Sequence, residues 1–344
     1  MLIYNLLILV ILIFYILDKY YISENKRKFL RISTFLTLFI ISAFRFYVGT
    51  DFKGYIGVYN SVIDGTYVNY GFEPGYDILM RITSIFSNNN RLIFVVTSFI
   101  IIGSFFLTFK DFSINYYITV FLFVTMYFYF NSFNIIRQFI AISIIFSSLR
   151  FIRKRELMKF IIFVLLAAIF HKTALIAIII YFIRDINLSK KKYFLITLGS
   201  IILVPLIPIF MKALVMIVPK YKAYLNFNAG SGLGTTSMIM FIILIISIHF
   251  KDKLLNNDSF NNLYINTTMI AFIFQILSEA NTLFTRVSMY FYIFTIVLIP
   301  QLIDISEDKY RKKIIIGIII FFIVFCNYLL ISNVGEVVPY RISI

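Results

Sequence analysis

The chain has 344 residues, of which 61% are hydrophobic, 19% aromatic and only 14% charged. An ordinary soluble domain is about half apolar and a quarter charged, so this composition excludes a soluble globular protein. The net charge of +16 reflects 32 basic and 16 acidic residues. Because the cations form short clusters between apolar runs, they indicate a membrane protein and exclude a nucleic-acid-binding face. The single cysteine, Cys326, excludes an intramolecular disulfide.

Apolar runs that are long enough, or nearly so, to cross hydrocarbon about 30 Å thick fill the chain. They lie near residues 2–17, 32–48, 92–109, 114–130, 135–152, 157–183, 193–218, 237–250, 263–279, 287–303 and 314–332. They predict an all-α polytopic membrane protein with about 11 to 12 transmembrane helices, built as a single membrane domain over residues 1–344. The first run has neither a basic segment before it nor a small-residue cleavage site after it, which predicts a retained span.

The run at residues 157–183 is too long for one ordinary crossing, since its 27 residues would form a helix of about 40 Å. If the chain crosses once there, ten downstream cations face outward. If it turns back near His171, those ten face the cytoplasm, and 21 of all 32 cations are cytoplasmic when both termini are outside. The second arrangement follows the positive-inside rule. A backbone break at membrane depth requires surrounding protein or a water-filled cavity, so we expect His171 in an outward-facing cavity.

Polar residues at the predicted outer ends of the spans are functional candidates, because ionisable groups at membrane depth are costly. The segment FRFYVGTDFKGY supplies Arg45 and Asp51, and FEPGYDIL supplies Glu73. Residues 75–87 then carry apolar side chains at helical spacing, which predicts a helix lying at the outer interface. The two carboxylates could instead pair with Arg45 or Arg81 at the surface.

The segment NSFNIIRQF places Asn134, Arg137 and Gln138 on one helical face through their i, i+3, i+4 spacing. Arg137 has no carboxylate nearby in the sequence. Its anion must therefore come from elsewhere in the fold or from a ligand, and a planar guanidinium suits a phosphate.

Two later segments, FHKTAL and RVSMYF, add further candidates at predicted outer ends. The first contains His171 and Lys172, and the second contains Arg286 and Tyr290. His171 could also be a structural histidine, and an arginine at this depth could anchor the interface by extending to the headgroups. The outer cations that together suit a diphosphate are Arg45, Arg137, Lys172 and Arg286.

These segments, in this order, resemble the EpsG family of Wzy-like polysaccharide polymerases, which are membrane proteins of bacterial capsule, exopolysaccharide and O-antigen assembly. The resemblance runs along most of the chain. It is carried by FRFYVGTDFKGY (44–55), FEPGYDIL (72–79), NIIRQFIA (134–141), FHKTAL (170–175), RVSMYF (286–291) and VPYRI (338–342). It implies a glycosyltransferase of the bacterial cytoplasmic membrane that joins undecaprenyl-diphosphate-linked oligosaccharide repeat units on the outer face, without a nucleotide sugar, metal or other cofactor.

The reaction implied by this resemblance has a diphosphate leaving group, whose charge a guanidinium can stabilise. We therefore expect Arg137 at the diphosphate. His171 is the first candidate for the base that takes the proton of the acceptor hydroxyl, because histidine titrates near neutral pH. Asp51 and Glu73 are rival bases. The predicted substrate contacts are Arg45, Glu73, Asn134, Gln138, Lys172, Arg286 and Tyr290.

The partners implied by the resemblance are the lipid-linked donor and acceptor, membrane lipids, and a chain-length regulator and flippase of the same pathway; no nucleic acid is expected. Two other functions remain open from the sequence. A transporter or flippase of lipid-linked sugars would also have many spans and a cationic cavity, although the chain lacks the two related halves of many transporters. A membrane O-acyltransferase of glycans could use an intramembrane histidine.

Overall fold

The computed structural model describes residues 1–20, 23–69, 71–217, 222 and 234–342. In this part of the chain the regular structure is helical, and strand-like pairing is limited to one isolated antiparallel bridge between Arg45 and Ile342. The chain divides into two compact units. The first comprises Met1–Phe151, Met158–Leu175 and Glu307–Ile344, and the second comprises Ile152–Leu157 and Ile176–Ser306. Whether these two units form the predicted single membrane domain stays a prediction.

The helices follow one another with short connections. The first ten are α1 (Leu2–Tyr20), α2 (Glu24–Ala43), α3 (Phe52–Ile63), α4 (Pro74–Phe86), α5 (Leu92–Phe112), α6 (Tyr116–Thr125), α7 (Phe128–Asn131), α8 (Ile136–Ser147), α9 (Leu149–Arg153) and α10 (Leu157–Phe170). The others are α11 (Ile179–Ile183), α12 (Lys190–Leu203), α13 (Ile207–Ile217), α14 (Thr235–His249), α15 (Lys251–Asn257), α16 (Asn261–Leu277), α17 (Leu283–Tyr292), α18 (Thr295–Asp304) and α19 (Asp308–Ile331).

Among the described residues, four helical stretches are long and apolar enough to cross a membrane, namely α1, α5, Lys190–Ile217 and α19. A fifth is formed if α17 and α18, which are bent by 41°, count as one span. This confirms an all-α polytopic membrane protein. The predicted figure of 11 to 12 crossings is higher, because some of the apolar runs form helices of fewer than 18 residues and others are broken into shorter helices. For example, the run at residues 114–130 breaks at Tyr127, whose backbone is left-handed with φ of 72°.

The segment 157–183 breaks at His171 and doubles back, as predicted. Arg184 Nη1 donates to the carbonyl of Ile152 at 2.6 Å, so the two flanks of the segment lie side by side. A straight helix of this length would hold them about 40 Å apart. The reversal places His171 between the end of α10 and a 3-10 helix, Lys172–Ile178, that leads into α11.

Polar pairs between helices align the first unit. Ser42 of α2 and Ser98 of α5 form a hydroxyl–hydroxyl hydrogen bond of 2.8 Å, and Thr108 of α5 donates to Ser147 of α8 at 3.2 Å. Hydrogen bonds between small polar residues hold helices together in a membrane, because the surrounding lipid is as apolar as the side chains and gives no hydrophobic driving force for their association. They fix α5 between α2 and α8, and α8 carries the arginine of the candidate site.

The predicted helix at residues 75–87 is present as α4, which begins at Pro74. Proline suits the first helical position because its missing N–H would have no partner there. One face of α4 is buried through Tyr76 and Met80, whereas Ile78 and Ile85 are exposed. The helix is thus amphipathic, and its location at the outer interface stays a prediction.

Candidate functional site

Three predicted site residues meet in the first unit around one carboxylate. Glu73 Oε2 pairs with Arg137 Nη1, and Glu73 Oε1 lies 3.2 Å from His171 Nδ1. The exposed fractions of the three side chains are 9% for Glu73, 26% for Arg137 and 14% for His171. We call these three residues the Glu73 cluster. The fold, and not the local sequence, thus supplies the anion that Arg137 requires.

Each member of the Glu73 cluster lies at the end of a helix. Glu73 directly precedes α4, Arg137 is in the first turn of α8, and His171 follows the last residue of α10. Gly75 permits the close approach of α4 to α10, because a Cβ there would lie 2.7 Å from Ile169 Cγ2 and 3.0 Å from the Ile169 carbonyl oxygen. The missing side chain therefore lets Glu73 reach His171.

Aromatic side chains hold the guanidinium of Arg137. Its Cζ atom lies 4.5 Å from the ring centroid of Phe72, a cation–π contact. The phenol of Tyr55 of α3 lies close to the guanidinium. Arg137 Nε is buried and has no hydrogen-bond partner among the described residues. Since a guanidinium carries five N–H donors, this side chain keeps a donor for an oxyanion beyond its contact with Glu73.

The electrostatics of the Glu73 cluster give the carboxylate and the imidazole different chemical roles. Burial raises the pKa of Glu73, but the imidazole of His171 at hydrogen-bonding distance and the charge of Arg137 outweigh it and lower the pKa from 4.5 to about 2. Glu73 is therefore ionised at neutral pH and is a poor base. Both ring nitrogens of His171 are buried without a hydrogen bond of good geometry to the described residues, but Nδ1 faces Glu73 Oε1 at 3.2 Å. Nε2 is therefore the nitrogen that the carboxylate leaves for an incoming group.

Arg45 has a different setting in the same unit. The residue is only 4% exposed, its Nη1 donates to the carbonyl of Ser42, and its Nη2 donates to the carbonyl of Phe133 at 3.3 Å. The ring centroids of Phe94 and Phe133 lie 5.0 and 4.7 Å from its Cζ atom. These donors contact the protein's own backbone, and the predicted contact of Arg45 with a diphosphate stays a prediction.

Asn134 and Asp51 are linked through Thr50. Asn134 Nδ2 donates to the carbonyl of Gly335 at 3.0 Å, and the Thr50 hydroxyl lies 3.2 Å from Asn134 Oδ1. The same hydroxyl lies 3.2 Å from Asp51 Oδ1, and Asp51 is exposed. The amide of Asn134 thus joins two chain segments, whereas the carboxylate of Asp51 faces the surface.

The remaining predicted residues are distributed over both units. Gln138 is buried next to Arg137 in α8, and Lys172 is exposed just after the break at His171. Arg286 and Tyr290 lie one turn apart on α17 in the second unit. No group of three His, Cys, Asp or Glu side chains that could hold a metal occurs in the part of the chain that the structure describes.

Three contributors to the Glu73 cluster were not singled out from the sequence. Phe72 and Gly75 flank Glu73 in FEPGYDIL, and Tyr55 ends FRFYVGTDFKGY. The sequence offered two signals, an aromatic residue beside a carboxylate and a glycine at the start of a predicted helix. Neither signal indicated which helix would approach, so the contacts with Arg137 and Ile169 required the folded chain.

The comparison with protein families gives one result. The model of the EpsG family matches residues 28–342, a range that contains the whole Glu73 cluster. No curated protein and no solved structure gives a significant match to the chain.

Proposed function

Because the chain belongs to the EpsG family, we propose that it is a polysaccharide polymerase of the glycosyltransferase type. Family membership supports polysaccharide polymerisation in general, and the long apolar helices support a membrane location. The proposal also names the substrate and the side of the membrane on which it reacts. The protein joins undecaprenyl-diphosphate-linked oligosaccharide repeat units, as donor and acceptor, on the outer face of the bacterial cytoplasmic membrane.

The observation that carries the proposal is the arrangement of Glu73 between His171 and Arg137. A carboxylate that faces Nδ1 of a histidine fixes the proton on that nitrogen and leaves Nε2 as the base. His171 Nδ1 is the nitrogen that faces the carboxylate, 3.2 Å from Glu73 Oε1, and Nε2 has no hydrogen-bond partner among the described residues. The arrangement therefore suits removal of a proton from a hydroxyl, the step that a glycosyl acceptor requires.

The proposed step transfers the donor glycan to the acceptor hydroxyl. The acceptor hydroxyl gives its proton to His171 Nε2 while its oxygen forms a bond to the anomeric carbon of the donor glycan. The bond between that carbon and the diphosphate oxygen breaks, and undecaprenyl diphosphate leaves with the electron pair. Glu73 stabilises the imidazolium that forms, because an ionised carboxylate near a protonated imidazole lowers its energy.

Arg137 serves the leaving group in this proposal. Its guanidinium is anchored on one side by Glu73 and by the ring of Phe72. The donors that these contacts do not use can meet the oxygen atoms on which negative charge develops. Anchoring before the substrate arrives reduces the reorganisation needed during the reaction, which is how fixed donors accelerate charge-separating steps.

The hairpin at residues 157–183 supports the outward orientation of the site. Its reversal is the arrangement under which the downstream cations satisfy the positive-inside rule. In that topology His171 lies on the outer side. The lipid-linked substrate would then be met after its transfer across the membrane.

The test uses the purified full-length protein in lipid vesicles that contain a synthetic undecaprenyl-diphosphate-linked repeat unit. We expect a ladder of glycan lengths from the wild-type protein, and unreacted single units from His171→Ala and Arg137→Ala. His249→Ala is the matched control, since His249 is the second of the two histidines and is exposed on α14.

Wild-type ladders from both His171→Ala and Arg137→Ala, correctly inserted, would contradict the roles assigned to the Glu73 cluster. Two other outcomes would favour the rival functions. Movement of labelled lipid-linked sugar across vesicles that lack an acceptor would indicate a flippase. Incorporation of an acetyl label without a change in glycan length would indicate an O-acyltransferase.

A further inference from the structure

The segment Asn333–Ile342, which we call the C-terminal strap, crosses the first unit beside the loop that follows α2. Three backbone amides of that loop donate to it: Phe46 N to the Arg341 carbonyl at 2.9 Å, Gly49 N to the Glu336 carbonyl at 3.0 Å and Thr50 N to the Gly335 carbonyl at 3.3 Å. The loop and the strap also share the isolated bridge between Arg45 and Ile342. The strap is therefore paired with the loop along much of its length.

Tyrosine hydroxyls attach the strap to the helices as well. Tyr4 of α1 donates to the Val337 carbonyl at 2.7 Å, and Tyr127 donates to the Val334 carbonyl at 2.9 Å. Each bond joins residues more than 200 positions apart in the sequence. Such bonds do not form within a local turn, so they hold the strap in one place on the helices.

The strap reaches the start of α8 through Asn134. The carbonyl of Gly335 accepts from Asn134 Nδ2 at 3.0 Å. A Cβ at Gly335 would lie 2.5 Å from Asn134 Nδ2, and a Cβ at Gly49 would lie 2.5 Å from Asn134 Oδ1. The amide of Asn134 is thus enclosed between two glycines, which leave no room for a side chain. We call these three residues the Asn134 clasp.

The Asn134 clasp lies one helical turn before Arg137. The carbonyl of Asn134 accepts from Ile136 N at 2.9 Å, which joins the clasp to the first residue of α8. The neighbouring carbonyl of Phe133 accepts from Arg45. Both contacts fix the backbone from which Arg137 extends towards Glu73.

We propose that the C-terminal strap is a positioning element of the catalytic site, and that it acts on Arg137 through the Asn134 clasp. The proposal rests on the proposed function for the role of Arg137. Gly335 is its central positioning residue, because its left-handed φ of 72° and its contact with Asn134 both favour glycine. Loosening the strap should free the start of α8 and open the Glu73 cluster.

The test compares Gly335→Ala with Gly65→Ala in the purified full-length protein. Gly65 is a matched control because its φ of +70° imposes the same backbone strain while a Cβ there meets nothing within 4 Å. Diethyl pyrocarbonate labels histidines, and peptide mass spectrometry separates His171 from the exposed reference His249. We expect Gly335→Ala to label His171 about threefold faster than wild type, as local opening exposes the imidazole. Gly65→Ala should match wild type.

Two further readouts distinguish positioning from a general loss of stability. In an Arg137→Ala background, Gly335→Ala should produce no additional labelling, because the strap acts through a contact already removed. Polymerisation by Gly335→Ala should fall about tenfold at temperatures well below its unfolding midpoint. Wild-type labelling of His171 in folded Gly335→Ala would overturn the proposal. Because labelling needs no substrate, it decides this question even if polymerisation is absent.

A second variant covers the case in which Gly335→Ala does not fold. Tyr127→Phe removes the hydrogen bond to the Val334 carbonyl and adds no atom. We expect a smaller increase in His171 labelling, of about twofold, again absent in the Arg137→Ala background. Unchanged labelling in Tyr127→Phe, with Gly335→Ala unfolded, would count against the strap.

Discussion

Arg45 and Arg137 both lie in the first unit, yet their surroundings differ in kind. Arg45 donates to backbone carbonyls and lies between two phenylalanine rings. Arg137 also faces a ring, but it pairs with a carboxylate that is shared with His171. One cation is surrounded by neutral groups that the fold supplies. The other belongs to a set of ionisable groups.

This difference separates two uses of a buried cation. Carbonyl acceptors and aromatic faces stabilise a guanidinium without titrating, so they join segments of the fold permanently. A carboxylate beside a histidine holds the imidazole in one tautomer and leaves its other nitrogen to accept a proton. Cationic charge alone therefore does not identify a catalytic site in this chain; the neighbouring ionisable groups do.

The largest expected effect comes from removing the shared charge with Glu73→Gln. The amide no longer stabilises an imidazolium at His171, so polymerisation should fall by about four orders of magnitude, as in other histidine–carboxylate pairs. The rate of glycan ladder formation in vesicles measures this. Asp77→Asn is the control, because Asp77 forms an exposed pair of 3.3 Å with Arg81 one turn along α4. A near-wild-type rate for Glu73→Gln would remove Glu73 from the mechanism.

Glu73→Gln should also change how the stability of the protein depends on pH. Since the pKa of Glu73 is lowered from 4.5 to about 2, its contribution to stability is fully present above about pH 4.5 and is lost as the pH falls towards 2. The unfolding midpoints of wild type and Glu73→Gln in detergent should therefore differ by a constant amount at neutral pH and converge below about pH 4.5. A difference that does not change with pH would contradict the lowered pKa.

The second effect contrasts the two arginines directly. Arg137→Lys keeps the charge but replaces a planar fork by a point charge, so polymerisation should fall about 100-fold, the effect of losing one fixed oxyanion donor. Arg45→Lys should instead lower stability by about 1–3 kcal/mol, because buried carbonyls lose their donor. Its turnover per folded molecule should stay near wild type. Equal losses of turnover in both variants would assign Arg45 to the substrate as well.

The features of the fold that depend on local sequence patterns were predictable. The helix at residues 75–87 and the reversal at His171 depend on periodicity and on the distribution of cations, and the structure confirms both. The partner of Arg137 was not predictable, because Glu73 lies 64 residues away in the sequence and meets it only in the folded chain. The backbone acceptors of Arg45 also exist only in the folded chain. The number of crossings was uncertain because apolar composition does not reveal where a helix breaks.

A smaller effect is expected where packing, and not charge, brings the cluster together. Gly75→Ala places a Cβ against Ile169, and overpacking of this kind costs about 1–3 kcal/mol. If α4 shifts to relieve the contact, Glu73 moves from His171, and polymerisation should fall about tenfold. Gly57→Ala on α3 is the matched control, because nothing lies within 4 Å of a Cβ there. Equal rates for the two variants would show that the approach of α4 to α10 is not required.

The smallest effect is expected at the rival base, Asp51. Its carboxylate is exposed and contacts only the neighbouring Thr50 among the hydrogen bonds described above. Exposed substitutions of this kind change free energies by about 0.5 kcal/mol or less, so Asp51→Asn should polymerise within about twofold of wild type. The rate of ladder formation by Asp51→Asn is measured together with that of Glu73→Gln. A loss as large as that of Glu73→Gln would move the base from His171 to Asp51, since a surface carboxylate without a role in the reaction has no means of producing it.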